Sequence, residues 1–282
     1  MEATRKISRI IHGAMTMDGA GVRLKRMFGF HEEGLLDPFL LLDLFGSDNP
    51  ADYMAGFPWH PHRGMETVTY MLAGRVEHGD SMGNKGVIGP GDVQWMTAGS
   101  GIIHQEMPRS DEARMYGFQL WVNLPASHKM MPPRYQEIKS GEIPIIHLSE
   151  GSTVKVIAGK FKGMEGPVKD IVADPLYIDV SVPENGTFEM DTHSGYTVFA
   201  CVFEGACSFG EGAKDPLHAG EVALFGDGEN IKAVTGDKPA RFILVSGKPL
   251  HEPVAWRGPI VMNTQEELDL AFKEFREGRF VK

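Results

Sequence analysis

Two short stretches of the chain carry metal-type donors two residues apart: His60-Pro61-His62 and, about forty residues later, His104-Gln105-Glu106. In a β-strand, side chains at i and i+2 share a face. Two such strands facing each other would aim three imidazoles and one carboxylate into one small volume, a donor set for a divalent transition metal. Nitrogen and oxygen donors without thiolate suit Fe(II), Mn(II), Ni(II), Cu(II) or Zn(II), and donor type alone does not choose among them. Three neutral imidazoles and one carboxylate leave the site at +1, and a six-coordinate ion keeps two open positions where a substrate oxygen and O2 could meet. A closed structural zinc site would more often use cysteines, and none lies near. Glu66 follows four residues after His62 and would also face inward if its strand is regular.

The elements that must position these residues are short strands. Gly (34) and Pro (18) punctuate apolar runs such as Thr67–Leu72, Val154–Ile157, Leu176–Val180 and Phe242–Val245, a pattern that predicts a sandwich or barrel. Gly83-Asn84-Lys85-Gly86 lacks the ending of a phosphate loop and is expected to be a hairpin turn. One helix is expected near the end. Thr264 and Glu267 form a capping box ahead of Leu268, Ala271, Phe272 and Phe275 at helical spacing, and Gly278 stops it. The helix should pack over a sheet or a domain seam. Phe57, Trp59, Trp95 and Trp121 are candidates for either a pocket wall or the core. His78, His128, His147, His218 and His251 have no metal-spaced partner and are expected at the surface or in hydrogen bonds.

A weak internal repeat suggests two related β-domains. Tyr70–Val76 resembles Cys201–Cys207, and Gly91–Met96 resembles Gly220–Phe225, with a seam expected between Met131 and Pro144. The offsets place Asp191, His193, Ala233 and Thr235 at the positions of His60, His62, His104 and Glu106. The second half therefore keeps at most half a donor set and should have no metal of its own.

Composition narrows the classes of partner. The chain has 282 residues and 42% hydrophobic residues, enough for a sizeable core. A net charge of −10 argues against broad binding to a phosphate backbone, so any effect on nucleic acid should pass through a protein partner. The N-terminal Met1–Arg9 has no long apolar run after its basic residues and makes a poor secretory signal, and Phe39–Leu42 is too short to span a membrane. The two cysteines, Cys201 and Cys207, fit a reducing cytoplasm and are expected as buried strand thiols on one face.

His60-x-His62-x-x-x-Glu66, Gly74, and Gly99-x-Gly101-x-x-His104 resemble the two motifs of the cupin superfamily. Asp37–Asp43, Phe57–Val68, Pro90–Gly99, Leu120–Pro125, Glu252–Val254 and Gly258–Thr264 resemble the pirin family more closely, and these pieces span nearly the whole chain. The resemblance implies an all-β bicupin: two β-barrel or jelly-roll domains in tandem, with a short C-terminal helix. The expected division is a metal-binding cupin over residues 1–131, a linker over 132–147, and a metal-free cupin with the helix over 148–282. The resemblance implies one iron site, with His60, His62, His104 and Glu106 as ligands and Glu66 nearby as a hydrogen-bond acceptor or base. It further implies quercetin 2,3-dioxygenase activity, with a flavonol and O2 as substrates and Glu66 or Glu106 assisting deprotonation. The alternative it implies is a metal-dependent regulator acting through a protein partner in the cytoplasm, or in the nucleus of a eukaryote. A non-redox metal enzyme is a third reading, since cupins host isomerases and hydrolases as well.

Overall fold

The computed structural model describes residues 4–32, 34–109, 114–212 and 215–282, so the first three residues of the N-terminal stretch lie outside the described residues. The chain divides into two compact units. The one that holds the histidine motifs comprises residues 14–34, 39–140 and 250–282; the other comprises residues 1–13, 35–38 and 141–249. The boundary at 140/141 falls in the expected seam, but the linear division at 131 and 148 does not describe which segments pack together. The first 13 residues belong with the C-terminal barrel and the last 33 with the N-terminal one. The stretch expected as linker also contributes a strand, Arg134–Ile138, paired with Val93–Thr97.

In the N-terminal unit a seven-stranded antiparallel sheet runs, edge to edge, Arg134–Ile138, Val93–Thr97, Met65–Ala73, Met115–Asn123, Phe39–Ser47, Val22–Phe28 and Ala14–Asp18. A four-stranded sheet runs Phe57–His62, Ile102–Pro108, Val76–Asp80 and Lys85–Ile88. Val22, Leu24, Phe45, Met71 and Met115 from the first sheet pack with Val76 and Ile88 from the second. Burying such side chains contributes roughly 1.5–3 kcal/mol each. A hairpin forms there, but its turn lies two residues earlier than expected, at 81–84, since Lys85 and Gly86 are already paired with Gly79 and His78; Asp80 Oδ1 accepts from the amides of Met82 and Asn84.

The C-terminal unit repeats the plan. Its seven-stranded sheet runs Ile7–Ile11, Glu221–Phe225, Thr197–Glu204, Ala240–Gly247, Leu176–Val182, Thr153–Ala158 and Ile145–His147, and its four-stranded sheet runs Thr187–Asp191, Asn230–Val234, Ala206–Phe209 and Leu217–His218. The strand next to the Gly-acid-Val strand is Arg134–Ile138 in one unit and the N-terminal Ile7–Ile11 in the other. Arg5, buried, secures that arm through the carbonyls of Gly226 and His193, each at 2.7 Å. The repeated glycines have one cause: Gly74 and Gly205 sit at φ +78° and +70°, where a Cβ would lie 2.4 Å from the Arg114 carbonyl and 2.1 Å from that of Pro239.

Cys201 and Cys207 are buried strand thiols, as expected. They do not share a face: Cys207 joins the barrel core with Val198, Ala200 and Val202, whereas Cys201 alternates with those residues and turns away. The helix forms at Gln265–Arg276 with its capping box intact, Thr264 Oγ1 accepting from the Glu267 amide and the Glu267 carboxylate from the Thr264 amide. Its Leu268 and Ala271 pack with Ile260, Met262 and Phe280. Thr264→Ala is expected to lower stability by about 1 kcal/mol with the fold retained; an unchanged urea midpoint would show the cap to be idle. Among the described residues no helix is long and apolar enough to cross a membrane.

Candidate metal centre

Strand Phe57–His62 pairs antiparallel with Ile102–Pro108, and the register sets His104 directly opposite His60. Alternation then carries His62 to the same face as His60. The three rings converge: centroids lie 4.4 Å apart for His60 and His104, 4.8 Å for His60 and His62, and 5.0 Å for His62 and His104. One ring nitrogen from each falls within 4.8 Å of the others.

The protonation states follow from the partners. His60 Nδ1–H donates to the Pro58 carbonyl at 2.8 Å and His62 Nδ1–H to that of Pro259 at 3.2 Å. Each ring therefore turns an Nε2 lone pair inward, and these two nitrogens stand 3.0 Å apart. Burial lowers the pKa of all three imidazoles, those of His62 and His104 well below the ordinary histidine range; neighbouring imidazoles lower those two further, whereas Asp18 pulls His60 the other way. Among the described residues, neither nitrogen of buried His104 has a hydrogen-bond partner. Lone pairs crowded together beside an unsatisfied buried imidazole repel one another and cost free energy. A cation among them removes both penalties, so the donor set fits a divalent metal.

Glu106 stands two residues beyond His104, across a register shift in the ladder, and its Oε1 accepts from Thr69 Oγ1 at 2.8 Å. It lines the same cavity as His60 and His62 but lies outside the tight three-histidine cluster. Burial raises its carboxyl to about 6, against the pull of Thr69. Glu66 is not where parity promised. It lies three positions before Thr69 on one regular strand, so it turns to the opposite face, where Thr97 Oγ1 donates to it at 2.7 Å. Burial raises its carboxyl to about 7 against Thr97 and Trp95, and it takes no part in the cavity wall.

The cavity has a volume of about 740 Å³, in the range of small-molecule sites. Phe57 and Trp121 line it, as foreseen for a pocket; Trp95 is buried in the core, and Trp59 is 53% exposed. Trp121 meets His62 edge to face with ring centroids 5.2 Å apart, and Trp256 lies 6.1 Å from Trp121. Three features escaped the sequence reading: Trp256, the Pro259 carbonyl, and a charged group formed by Arg26, Asp43 and Asp18. Arg26 holds buried Asp43 in a two-pronged pair at 2.9 and 2.8 Å and reaches Asp18 at 2.7 Å. Burial pushes the Asp43 carboxyl up to about 6 against the pull of Arg26. The one local signal was Arg26 itself, a charge at the parity of the buried Val22 and Leu24. His78 is buried and bonded to Tyr135 and Glu137, as expected of a hydrogen-bonded residue.

In the other barrel the equivalent space is filled. Phe188, Met190, Ile231 and Ala233 occupy the paired strands Thr187–Asp191 and Asn230–Val234, and Phe188 packs against Phe161 and Phe242. The offset that set Asp191 at the place of His60 slipped: the register puts Phe188 opposite Ala233, and Asp191 and His193 are exposed. Thr235 is used structurally, on the loop at Pro183 and Gly186.

The family described as Pirin matches residues 21–122, and that described as Pirin C-terminal cupin domain matches residues 177–281. A KOW motif also matches residues 150–179, which fold here as two strands of the seven-stranded sheet and the segment between them. A pirin-like protein of Caulobacter vibrioides is 48% identical, over 98% of this chain and 99% of its own. The crystal structure of a quercetin 2,3-dioxygenase from Acinetobacter baumannii superposes with a TM-score of 0.90 at 34% identity, covering 99% of each chain. The bacterial pirin YhhW of Escherichia coli, solved with nickel(II), shares the fold at a TM-score of 0.65 and 21% identity, covering 86% of this chain and 98% of its own.

Proposed function

The chain belongs to the pirin family, and from that footing we propose that its histidine cluster is the active site of a dioxygenase that opens the ring of a flavonol such as quercetin with O2. The observation that carries the reading is the convergence of three neutral imidazoles beside Glu106 in a cavity walled by aromatic rings. His60, His62 and His104 would hold the ion, with Glu106 as the adjoining carboxylate. Fe(II) is the metal assigned; Mn, Ni, Cu or Zn would satisfy the same donors. When bound, the ion supplies Lewis acidity toward an enolic oxygen and an electronic route to O2.

The chain's own residues do the rest. Glu106 takes the proton of the flavonol 3-hydroxyl, and Thr69 holds the carboxylate in place for it. Phe45, Phe57, Trp121 and Trp256 give planar walls that fit stacked rings and exclude water. Arg26, held by Asp43 and Asp18, adds a fixed polar group to the same cavity wall, suited to hydrogen-bond the substrate's remaining hydroxyl oxygens. In the overall reaction both atoms of O2 enter the depside product, one ring carbon leaves with its oxygen as carbon monoxide, and Glu106 returns its proton.

Metal-reconstituted protein should consume O2 and release carbon monoxide with quercetin; no turnover with any of the five metals would overturn the reading. Trp121→Ala is expected to raise KM for the flavonol about tenfold with a smaller change in kcat, because it removes a wall and no reacting group. Steady-state O2 uptake separates the two parameters.

A further inference from the structure

We propose that the C-terminal segment, residues 259–280, is a working part of the metal centre, with Arg63 and Glu274 as positioning residues that set how firmly the metal is retained. The inference rests on the reading of His60, His62 and His104 as metal ligands. Of those three, only His62 makes a hydrogen bond to a distant part of the chain among the described residues. His60 is oriented by Pro58 of its own strand, and His104 has no protein partner at either nitrogen. His62 is oriented by the Pro259 carbonyl, 197 positions away.

The next two residues tie that carbonyl in place. The Arg63 carbonyl accepts from the Val261 amide at 3.0 Å. The Arg63 side chain, 2% exposed, donates to Glu274 on the helix at 2.7 Å and to the Phe280 carbonyl at 2.9 Å, with its guanidinium 4.3 Å from the centre of the Phe280 ring. Lys129 donates to Gly64 and Val261 carbonyls at 2.8 and 3.0 Å, joining the two segments. Gly64, at φ +77°, leaves no room for a side chain, since a Cβ would lie 1.9 Å from the Val261 carbonyl. His62, Arg63 and Gly64 thus each fasten to residues 259–280. Loosening the clamp lets Pro259 drift and frees His62 to rotate, which loosens one donor of three. Partners that orient a ligand imidazole typically change metal affinity about 10- to 100-fold when lost.

The test is the release of Co(II), a visible-absorbing probe, from loaded full-length protein into excess chelator. The variants are Arg63→Met, Arg63→Lys and Glu274→Gln, with Phe209→Leu in the other barrel as a packing control. Release about tenfold faster from Arg63→Met and Glu274→Gln, intermediate from Arg63→Lys and unchanged from Phe209→Leu supports the proposal. If Arg63→Met does not fold, Glu274→Gln and Arg63→Lys carry the same comparison. Release within about twofold of wild type in the clamp variants, or equal acceleration in Phe209→Leu, overturns it. A wild type that takes up no Co(II) overturns the metal reading as well, whereas a wild type that holds Co(II) while the clamp variants match it overturns this inference alone.

Discussion

His104→Leu is expected to abolish metal retention and flavonol turnover while leaving the metal-free protein at least as stable as wild type. His104 supplies one of three convergent nitrogens from the central position, opposite His60 in the ladder. Two imidazoles on one strand cannot surround an ion, so affinity should fall by a factor of about 100 or more. The stability half of the expectation has a separate cause. A buried histidine kept for the core would hold hydrogen bonds, and its loss would destabilise by about 1–3 kcal/mol. His104 holds none, and leucine fills a similar volume without polar atoms to desolvate. Elemental analysis after dialysis and urea unfolding of the metal-free proteins read the two halves independently. Lost metal with a raised or unchanged unfolding free energy identifies a ligand position; retained metal, or a large loss of stability, identifies a structural histidine and sinks the assignment.

That combination also accounts for what the sequence disclosed. The pairing of side chains at i and i+2 is local, so His60 and His62 could be placed on one face before any tertiary structure was known. The capping box at Thr264 is local in the same sense, and so is the hairpin signal near Gly83, although its turn closes two residues earlier than the glycines suggested. Residues brought in by distant chain segments were not legible. Trp256 and the Pro259 carbonyl reach the cavity because Ile260–Met262 docks beside Arg63, and no pattern near His62 announces that contact. The Arg26–Asp43 pair joins two neighbouring strands, and the charges look like ordinary surface residues in sequence. Glu66 was misplaced for a different reason. Parity within a strand is reliable, but the sequence did not say which face of Met65–Ala73 the histidine strands would meet. Thr69 marks that face, and Glu66 lies on the other.

The two barrels show what the donor set costs. The C-terminal barrel fills its interior with Phe161, Phe188, Phe209 and Phe242, and each contributes apolar burial. The N-terminal barrel keeps His60, His62, His104, Glu106 and Thr69 around open space instead. A neutral imidazole or raised carboxyl in such a place adds little to folding, and the segment around His62 is instead held by hydrogen bonds to distant residues. The same framework can thus serve as a site or as a solid core, depending on a few inward positions.

Glu106→Gln is expected to lower kcat on quercetin by about 10²–10³ while most of the bound metal and the KM are kept. The substitution preserves size and an oxygen that can accept from Thr69, so the cavity should not collapse. What it removes is the ability to take the 3-hydroxyl proton. Three imidazoles remain to hold the ion, since their cluster closes without Glu106. Glu66→Gln should act near wild-type rate, because its carboxyl is turned from the cavity toward Thr97. Metal content and kcat measured on both variants separate the alternatives. Loss of metal from Glu106→Gln would make the carboxylate a fourth ligand before it is a base. A crippled Glu66→Gln beside an active Glu106→Gln would move the base to the other face of the strand, and with it the direction from which the flavonol must enter.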